Sequence, residues 1–147
     1  MSAHAATHGV EIKVTRFPAT TRTAQDAARE IGCTVGEIVK SLVFVADDAP
    51  VVALCSGADR VDETKLKDAL GASAVRRATA DEAKTATGYA VGGVPPFAHA
   101  ADLRVIVDQG LFAFATVWAA AGLPDAVFPM APADLARLSN ALRADIT

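Results

Sequence analysis

Two apolar runs joined by an acidic turn constrain this chain more than any other feature. Between Ile38 and Ala46 the apolar residues are Ile38, Val39, Leu42, Val43, Phe44 and Val45; Pro50 to Cys55 is a second apolar run. Both are short, partly β-branched and bounded by turn residues, which is the pattern of strands. Asp47-Asp48-Ala49-Pro50 lies between them and has the composition of a turn. The spacing predicts a β-hairpin.

Short elements surround it. Val10 to Phe17 predicts an edge strand. Thr23 caps a helix that runs to about Arg29, with Asp26 at its third position; Ala24, Ala27, Ala28 and Ile31 carry the helical spacing and Gly32 stops it. Thr34 and Glu37 have the spacing of a capping box for a further short helix. Asp62 caps a helix through Leu70 that ends at Gly71; a short strand is expected over Ser73 to Arg76 and a helix over Thr79 to Thr85, with Glu82 completing its cap. Leu103 to Asp108, Thr116 to Ala121 and Val127 to Met130 predict three more strands. Pro132-Ala133-Asp134 opens a last helix carrying Leu135, Leu138 and Leu142. The strands are not separated by regular helices of βαβ length, which disfavours a doubly wound parallel sheet. The expected class is α+β: a mixed, mainly antiparallel twisted sheet with surrounding short helices.

At 147 residues and 52% hydrophobic content, the chain is expected to form a single domain over residues 1–147, with a frayed N-terminus over 1–9. No apolar run is long enough to span a bilayer. Met1 to Gly9 lacks the basic and apolar regions of a signal peptide, so a cytoplasmic location is expected and no membrane partner. The net charge of -3 argues against a general nucleic-acid binder. It leaves room for a local basic mouth drawn from Arg16, Arg22, Lys40, Arg60, Lys65, Lys67, Arg76, Arg77 and Arg104; scattered solubilising charge is the simpler reading of most of them. Cys33 and Cys55 form no Cys-x-x-Cys pair and read as reduced thiols in or near the core. His4 and His8 lie in the frayed start, which leaves His99, so no metal site is expected.

Two places are suited to chemistry. Lys40 stands where a short helix runs into the first apolar strand, and a lysine there can pack its stem while its ammonium enters a pocket. A compact cation binds a phosphate or polarises an ester carbonyl; the plain alternative is a strand-edge lysine with its head in water. The second place is the loop Gly88-Tyr89-Ala90-Val91-Gly92-Gly93-Val94-Pro95-Pro96. Its glycines let backbone approach a ligand and present N–H groups, and its prolines fix its shape. Such donors suit a carbonyl that gains negative charge on hydrolysis. An ordinary surface turn is the alternative. The loop lacks the endings of nucleotide and dinucleotide motifs. A Gly-x-Ser-x-Gly elbow and a His-Glu-x-x-His motif are both absent. Asp59, Asp62 and Glu63 read as capping residues. A hydrolase built here works by positioning and backbone donors.

Taken together, Thr23-Ala24 with Ala27-Ala28, Ile38 to Phe44, Gly88 to Pro96 and Asp134-Leu135 resemble the YbaK/ProX family of aminoacyl-tRNA deacylases, from about Thr20 to Leu142. That family includes the editing insertion of bacterial prolyl-tRNA synthetase and its free-standing relatives. The resemblance implies an enzyme that hydrolyses the ester between a small amino acid (Ala, Ser, Thr, Cys or 2-aminobutyrate) and the terminal adenosine of tRNA, without metal or cofactor. Lys40, Gly92 and Gly93 match catalytic positions. Ser41, Val94, Pro95, Pro96 and Asp125 match substrate-binding ones. Alanine-specific relatives often carry asparagine where this chain has Ser41, and some members carry a histidine where it has Asp125. The implied partners are the acceptor end of aminoacyl-tRNA and a synthetase or elongation factor. A tRNA- or synthetase-binding module without chemistry, and a hydrolase of other small acyl esters, are the competing readings.

Overall fold

The computed structural model describes residues 12–17, 23–123 and 125–147. In chain order its elements are β1 (Thr15–Arg16), α1 (Ala24–Ile31), a 3-10 turn (Val35–Glu37), β2 (Val39–Ala46), β3 (Ala49–Ser56), α2 (Glu63–Leu70), β4 (Val75–Arg77), α3 (Ala80–Thr87), β5 (Arg104–Asp108), a second 3-10 segment (Gln109–Ala113), β6 (Val117–Ala120), β7 (Ala126–Met130), α4 (Pro132–Ser139) and β8 (Leu142–Ala144). The class is α+β, as expected. The strands divide between a five-stranded sheet, ordered β4-β2-β3-β5-β8, and a three-stranded sheet, ordered β1-β7-β6. β3–β5 and β5–β8 are parallel; the other described pairs are antiparallel.

The hairpin forms the centre. β2 and β3 pair over their full length, from Val39↔Ser56 to Ala46↔Ala49. The turn itself is Asp47-Asp48, both at positive φ (47° and 66°), while Ala49 and Pro50 belong to β3. Two such residues match the twist of a two-residue hairpin loop. Asp47 also accepts hydrogen bonds from the Ser73 and Ala74 N–H groups at 3.0 and 2.9 Å, which holds the approach to β4 beside the turn.

The central sheet is covered on both faces, and this is why its strands read as runs and not as alternations. Val39, Val43, Val52, Leu54, Val105 and Val107 face Val117, Phe128 and Met130 of the smaller sheet together with Leu135 and Leu138 of α4. Phe44, Val51, Ala53 and Ile106 face Leu66 and Leu70 of α2, with Ile146 closing that side. Phe17, Ala27, Ala28, Ile38 and Val127 form a third cluster under α1.

The cap residues act as their types predict. Asp62 accepts from the Thr64 and Lys65 N–H groups at 2.9 and 3.2 Å, and Glu37 accepts from the Thr34 N–H at 3.0 Å. The Thr23 hydroxyl accepts from the Asp26 N–H at 3.1 Å. Thr23→Ala is expected to lower stability by about 1 kcal/mol, read from urea denaturation, and Thr23→Ser to keep most of it.

Three expectations need adjusting. Leu142 is not on the last helix. Asn140 takes the left-handed conformation (φ 50°) and ends α4, so Leu142 opens β8 beside β5 and is 42% exposed. The 138/142 spacing is helical, but Asn tolerates the cap geometry that stops a helix. The first strand is only Thr15–Arg16; Val10 and Glu11, like the expected frayed residues 1–9, lie outside the described residues. The strand expected over Ser73 to Arg76 begins at Val75, because the N–H groups of Ser73 and Ala74 are taken by Asp47.

Candidate active site

A cavity of about 260 Å³ opens where β2 lacks a neighbour. β4 pairs with β2 only from Phe44 to Ala46, and the Ala78 N–H extends this by one bond to the Val43 carbonyl. Toward its start this edge has, among the described residues, only a bridge from Ile38 to Trp118. Backbone polar groups alternate sides along a strand. The N–H and C=O of Ser41 therefore point, like those of Val43, toward the open edge.

Five pieces of the fold wall this space. β2 supplies Val39, Lys40, Ser41 and Leu42; α1 supplies Ala24 and Ala27, with its cap Thr23. Trp118 and Ala120 come from β6, and Ala126 and Val127 from β7. The loop after α3 contributes Val91, Gly92 and Val94. Lys40 is the one charged side chain among these lining residues. Its ammonium donates to the backbone carbonyl of Asp59, in the turn that follows β3. That turn is held by the Asp59 N–H bond to the Ser56 carbonyl at 3.0 Å.

The loop uses its two central glycines differently. The Gly93 N–H closes a tight turn on the Ala90 carbonyl at 3.0 Å, with Gly92 at φ 93° in the position that favours glycine. A Cβ on Gly93 would lie 3.1 Å from Leu123 Cα and 3.0 Å from its carbonyl carbon, so this loop and the one before β7 pack backbone against backbone. The N–H groups of Gly92 and Val94 have no partner among the described residues. Val94 to Phe97 are buried, and the Pro95 carbonyl meets His99 Nε2 at 2.7 Å. That nitrogen must carry the proton. Burial pushes the His99 pKa down, against a smaller upward pull from the Pro95 carbonyl, which favours a neutral ring bracing the loop from behind.

The expected site residues thus separate into two groups. Lys40, Ser41, Gly92 and Val94 line the cavity together; Gly93, Pro95 and Pro96 stand behind the lining as the loop's frame. Asp125 also lies outside the lining. Its carboxylate pairs with Arg16 at 2.9 Å, which holds its pKa below the usual range, and its carbonyl accepts from the Phe17 N–H at 2.7 Å. It ties the β1 segment to the β7 wall. Phe17, Thr23 and Trp118 are cavity residues that sequence reasoning missed. Trp118 is the chain's single tryptophan, and that rarity was the one available signal.

Other candidates lose their chemistry. Cys55 is buried across from Lys40, and burial pushes its thiol up to about 11 despite the nearby ammonium, so it stays protonated at neutral pH. Burial also raises Cys33. No group of three or more His, Cys, Asp or Glu side chains among the described residues is placed to hold a metal. Four of the described basic residues have local partners. Arg76 pairs with Glu82 at 2.8 Å, Lys65 with Asp145 at 3.3 Å, Arg104 donates to the Leu70 carbonyl at 3.2 Å, and Arg77 lies over the Phe44 ring. Arg22 is outside the described residues. None of the described helices is long and apolar enough to cross a membrane.

The profile of the aminoacyl-tRNA editing domain matches residues 18–138 of this chain. The chain belongs to the aminoacyl-tRNA editing domain family. As a member of that family it is an aminoacyl-tRNA deacylase. This editing domain is similar to the crystal structure of a candidate trans-editing enzyme for prolyl-tRNA synthetase, with TM-score 0.89 and 43% identity over 92% of this chain and 86% of the other. It is 32% identical to the uncharacterized protein YwhH of Bacillus subtilis, over 88% of this chain and 82% of that protein. It is also 36% identical to proline–tRNA ligase of Streptococcus thermophilus over 60% of this chain, a match that spans only 14% of the ligase. The editing domain therefore corresponds to one segment of those much longer enzymes.

Proposed function

We propose that this chain is a trans-editing hydrolase that removes a small amino acid from mischarged tRNA, with tRNA for proline as its substrate. One observation carries the reading: a small, mostly apolar cavity lined both by Lys40, its single charged group among the described residues, and by Gly92 and Val94, whose N–H groups have no partner among the described residues. The cavity volume lies below the usual range for ligand pockets, which suits an amino-acid side chain and leaves the nucleotide outside.

In this reading the acyl side chain enters the space between α1, β6 and β7. The ester carbonyl meets N–H groups of the Gly92–Val94 turn or the open edge at Ser41. Water attacks the carbonyl carbon, and the oxyanion is stabilised by these fixed donors and by the Lys40 ammonium. The carbon–oxygen bond to the ribose then breaks, the ribose oxygen takes up a proton, and the free amino acid leaves. The described residues of the cavity wall supply no side-chain base, so in this reading the neighbouring ribose hydroxyl of the substrate orients the water, and positioning carries most of the rate. Gly93, Pro95 and Pro96 hold the loop in shape, and Asp125 acts through Arg16 to set the β7 wall. The net charge of -3 supports weak tRNA affinity, with a synthetase or elongation factor delivering the substrate.

The test is deacylation of one tRNA charged in turn with alanine, serine, threonine, cysteine, 2-aminobutyrate and proline. Release of at least one small residue, with proline retained, is the expected result. A folded protein that releases none of them while still binding the tRNA would instead be a recognition module.

A further inference from the structure

His99 is the one histidine among the described residues, and it lies outside the lining of the cavity. It stands where the loop after α3 doubles back. Phe97 is buried against Phe128 of β7, with ring centroids 5.9 Å apart. Ala98 then takes a left-handed conformation at φ 62°. A residue with a Cβ is penalised there, and such strain persists where the surrounding contacts over-determine the backbone. Phe97 holds one side of Ala98. On the other side His99 Nε2 donates to the Pro95 carbonyl at 2.7 Å, which closes the stretch from Pro95 to His99 on itself. The Ala100 N–H then ties the chain to the Thr87 carbonyl of α3 at 2.9 Å.

The closed stretch adjoins the backbone donors of the cavity. Val94, whose N–H has no partner among the described residues, directly precedes Pro95. A proline ring fixes its own φ and holds the residue before it to extended backbone. With Pro95 and Pro96 in sequence, a fixed Pro95 carbonyl leaves the Val94 peptide little freedom. Neither proline has an N–H with which the fold could grip this stretch. His99 is the partner of the Pro95 carbonyl among the described residues. Its ring also lines a second cavity of about 350 Å³, beside Leu138, Ser139 and Asn140 at the end of α4. We infer that His99 is a positioning residue for the hydrolysis: through the Pro95 carbonyl it sets the direction in which the Gly92 and Val94 N–H groups face the ester. This rests on the deacylase reading above. The ring touches no substrate and transfers no proton. It has to keep a proton on Nε2, and a displaced donor loses much of its stabilisation of a developing oxyanion.

The experiment separates the hydrogen bond from the bulk of the ring. His99→Gln carries an amide N–H about as far out as Nε2, whereas His99→Met has similar length and no donor. On the mischarged tRNA that the native protein clears fastest, His99→Met is expected to lower kcat about tenfold and to leave KM within about twofold. His99→Gln is expected to stay within about threefold of the native kcat, and both variants to melt within about 5 °C of the native protein. His99→Asn, whose amide stops short of the carbonyl, is the second disrupting variant should His99→Met not fold. Nitrogen-15 NMR of the native protein is expected to show the proton on Nε2, and the amide signals of Gly92 and Val94 to move in the disrupting variants and hold in His99→Gln. A bare Nε2 in the native protein overturns the inference without any variant. So does native-like kcat in the disrupting variants, or an equal loss in His99→Gln, which assigns the ring to packing alone. Either result with an active native protein overturns this inference and leaves the deacylase reading standing. Silence of the native protein on every small acyl group overturns both.

Discussion

Removing the Lys40 ammonium is expected to lower kcat/KM for deacylation by about two orders of magnitude, the usual effect of losing one fixed stabiliser of a developing oxyanion. The expectation rests on charge and place. Lys40 is the single charged group on the cavity wall among the described residues, and the surrounding lining is mostly apolar, so its field is little offset by other described side chains. The Asp59 carbonyl accepts from the ammonium, which orders the side chain before substrate arrives. Lys40→Met is the cleaner variant, because it keeps a stem of similar length and removes the charge. The backbone register Lys40↔Cys55 needs no side chain, so the fold should survive. A melting temperature within about 3 °C of the native value, corresponding to roughly 1 kcal/mol, is the expected control result. Lys40→Arg should recover only part of the rate, since a planar fork does not replace a compact point charge. Native-like turnover in Lys40→Met would remove this residue from the chemistry and leave the backbone donors to act alone.

What the sequence made legible was local. Thr23, Asp62 and Thr79 cap the helices they precede, and the Asp47-Asp48 turn joins the two strands it separates. These features depend on residues a few positions apart, where side-chain chemistry and backbone geometry are directly coupled. Leu142 shows the limit of such reasoning: its spacing from Leu138 fits a helix, and only the conformation of Asn140 turns the chain into β8. The division into two sheets was not legible, because it depends on which strand edges stay unpaired. The cavity is a product of that division. Lys40 and the glycine loop were candidates from the residues themselves and took their expected roles from the resemblance, but the bare edge of β2 beside them is a fact of topology. Thr23 was legible as a cap and not as a wall of the cavity, since the helix it opens reaches β2 only through tertiary packing. Gly92 and Gly93 looked equivalent in sequence. The fold makes the first a turn residue and the second a point of close backbone approach.

The other large effect is expected behind the cavity wall, at Gly57. Its N–H donates to the Ile38 carbonyl at 2.6 Å, in the turn that leaves β3. A methyl group there would lie 2.6 Å from the Val35 carbonyl oxygen and 3.2 Å from both the Ile38 carbonyl oxygen and Ala24 Cβ. Two of these three are backbone atoms, which cannot turn aside as a flexible side chain does. They belong to the 3-10 turn and to the start of β2, and the neighbouring Ser56 hydroxyl fastens the same turn by donating to the Gly36 carbonyl at 2.7 Å. Gly57→Ala must therefore push α1 and the 3-10 turn away from the hairpin or open the hydrogen bond to Ile38. Overpacking of this kind is expected to lower stability by about 3 kcal/mol, a fall in melting temperature of roughly 10 °C for a chain of this length. Because Ala24 and Ile38 also line the cavity, deacylation should weaken in the folded fraction as well. Gly71→Ala supplies the comparison. Gly71 has φ 66° but nothing within 4 Å of its missing Cβ, so only the left-handed conformation is penalised, by about 1 kcal/mol, and activity should hold. Equal destabilisation by the two substitutions would mean that crowding at Gly57 is relieved at no cost by a shift of the 3-10 turn. A larger loss at Gly57, accompanied by slower deacylation, would show that this backbone contact sets both the stability of the hairpin and the shape of the cavity.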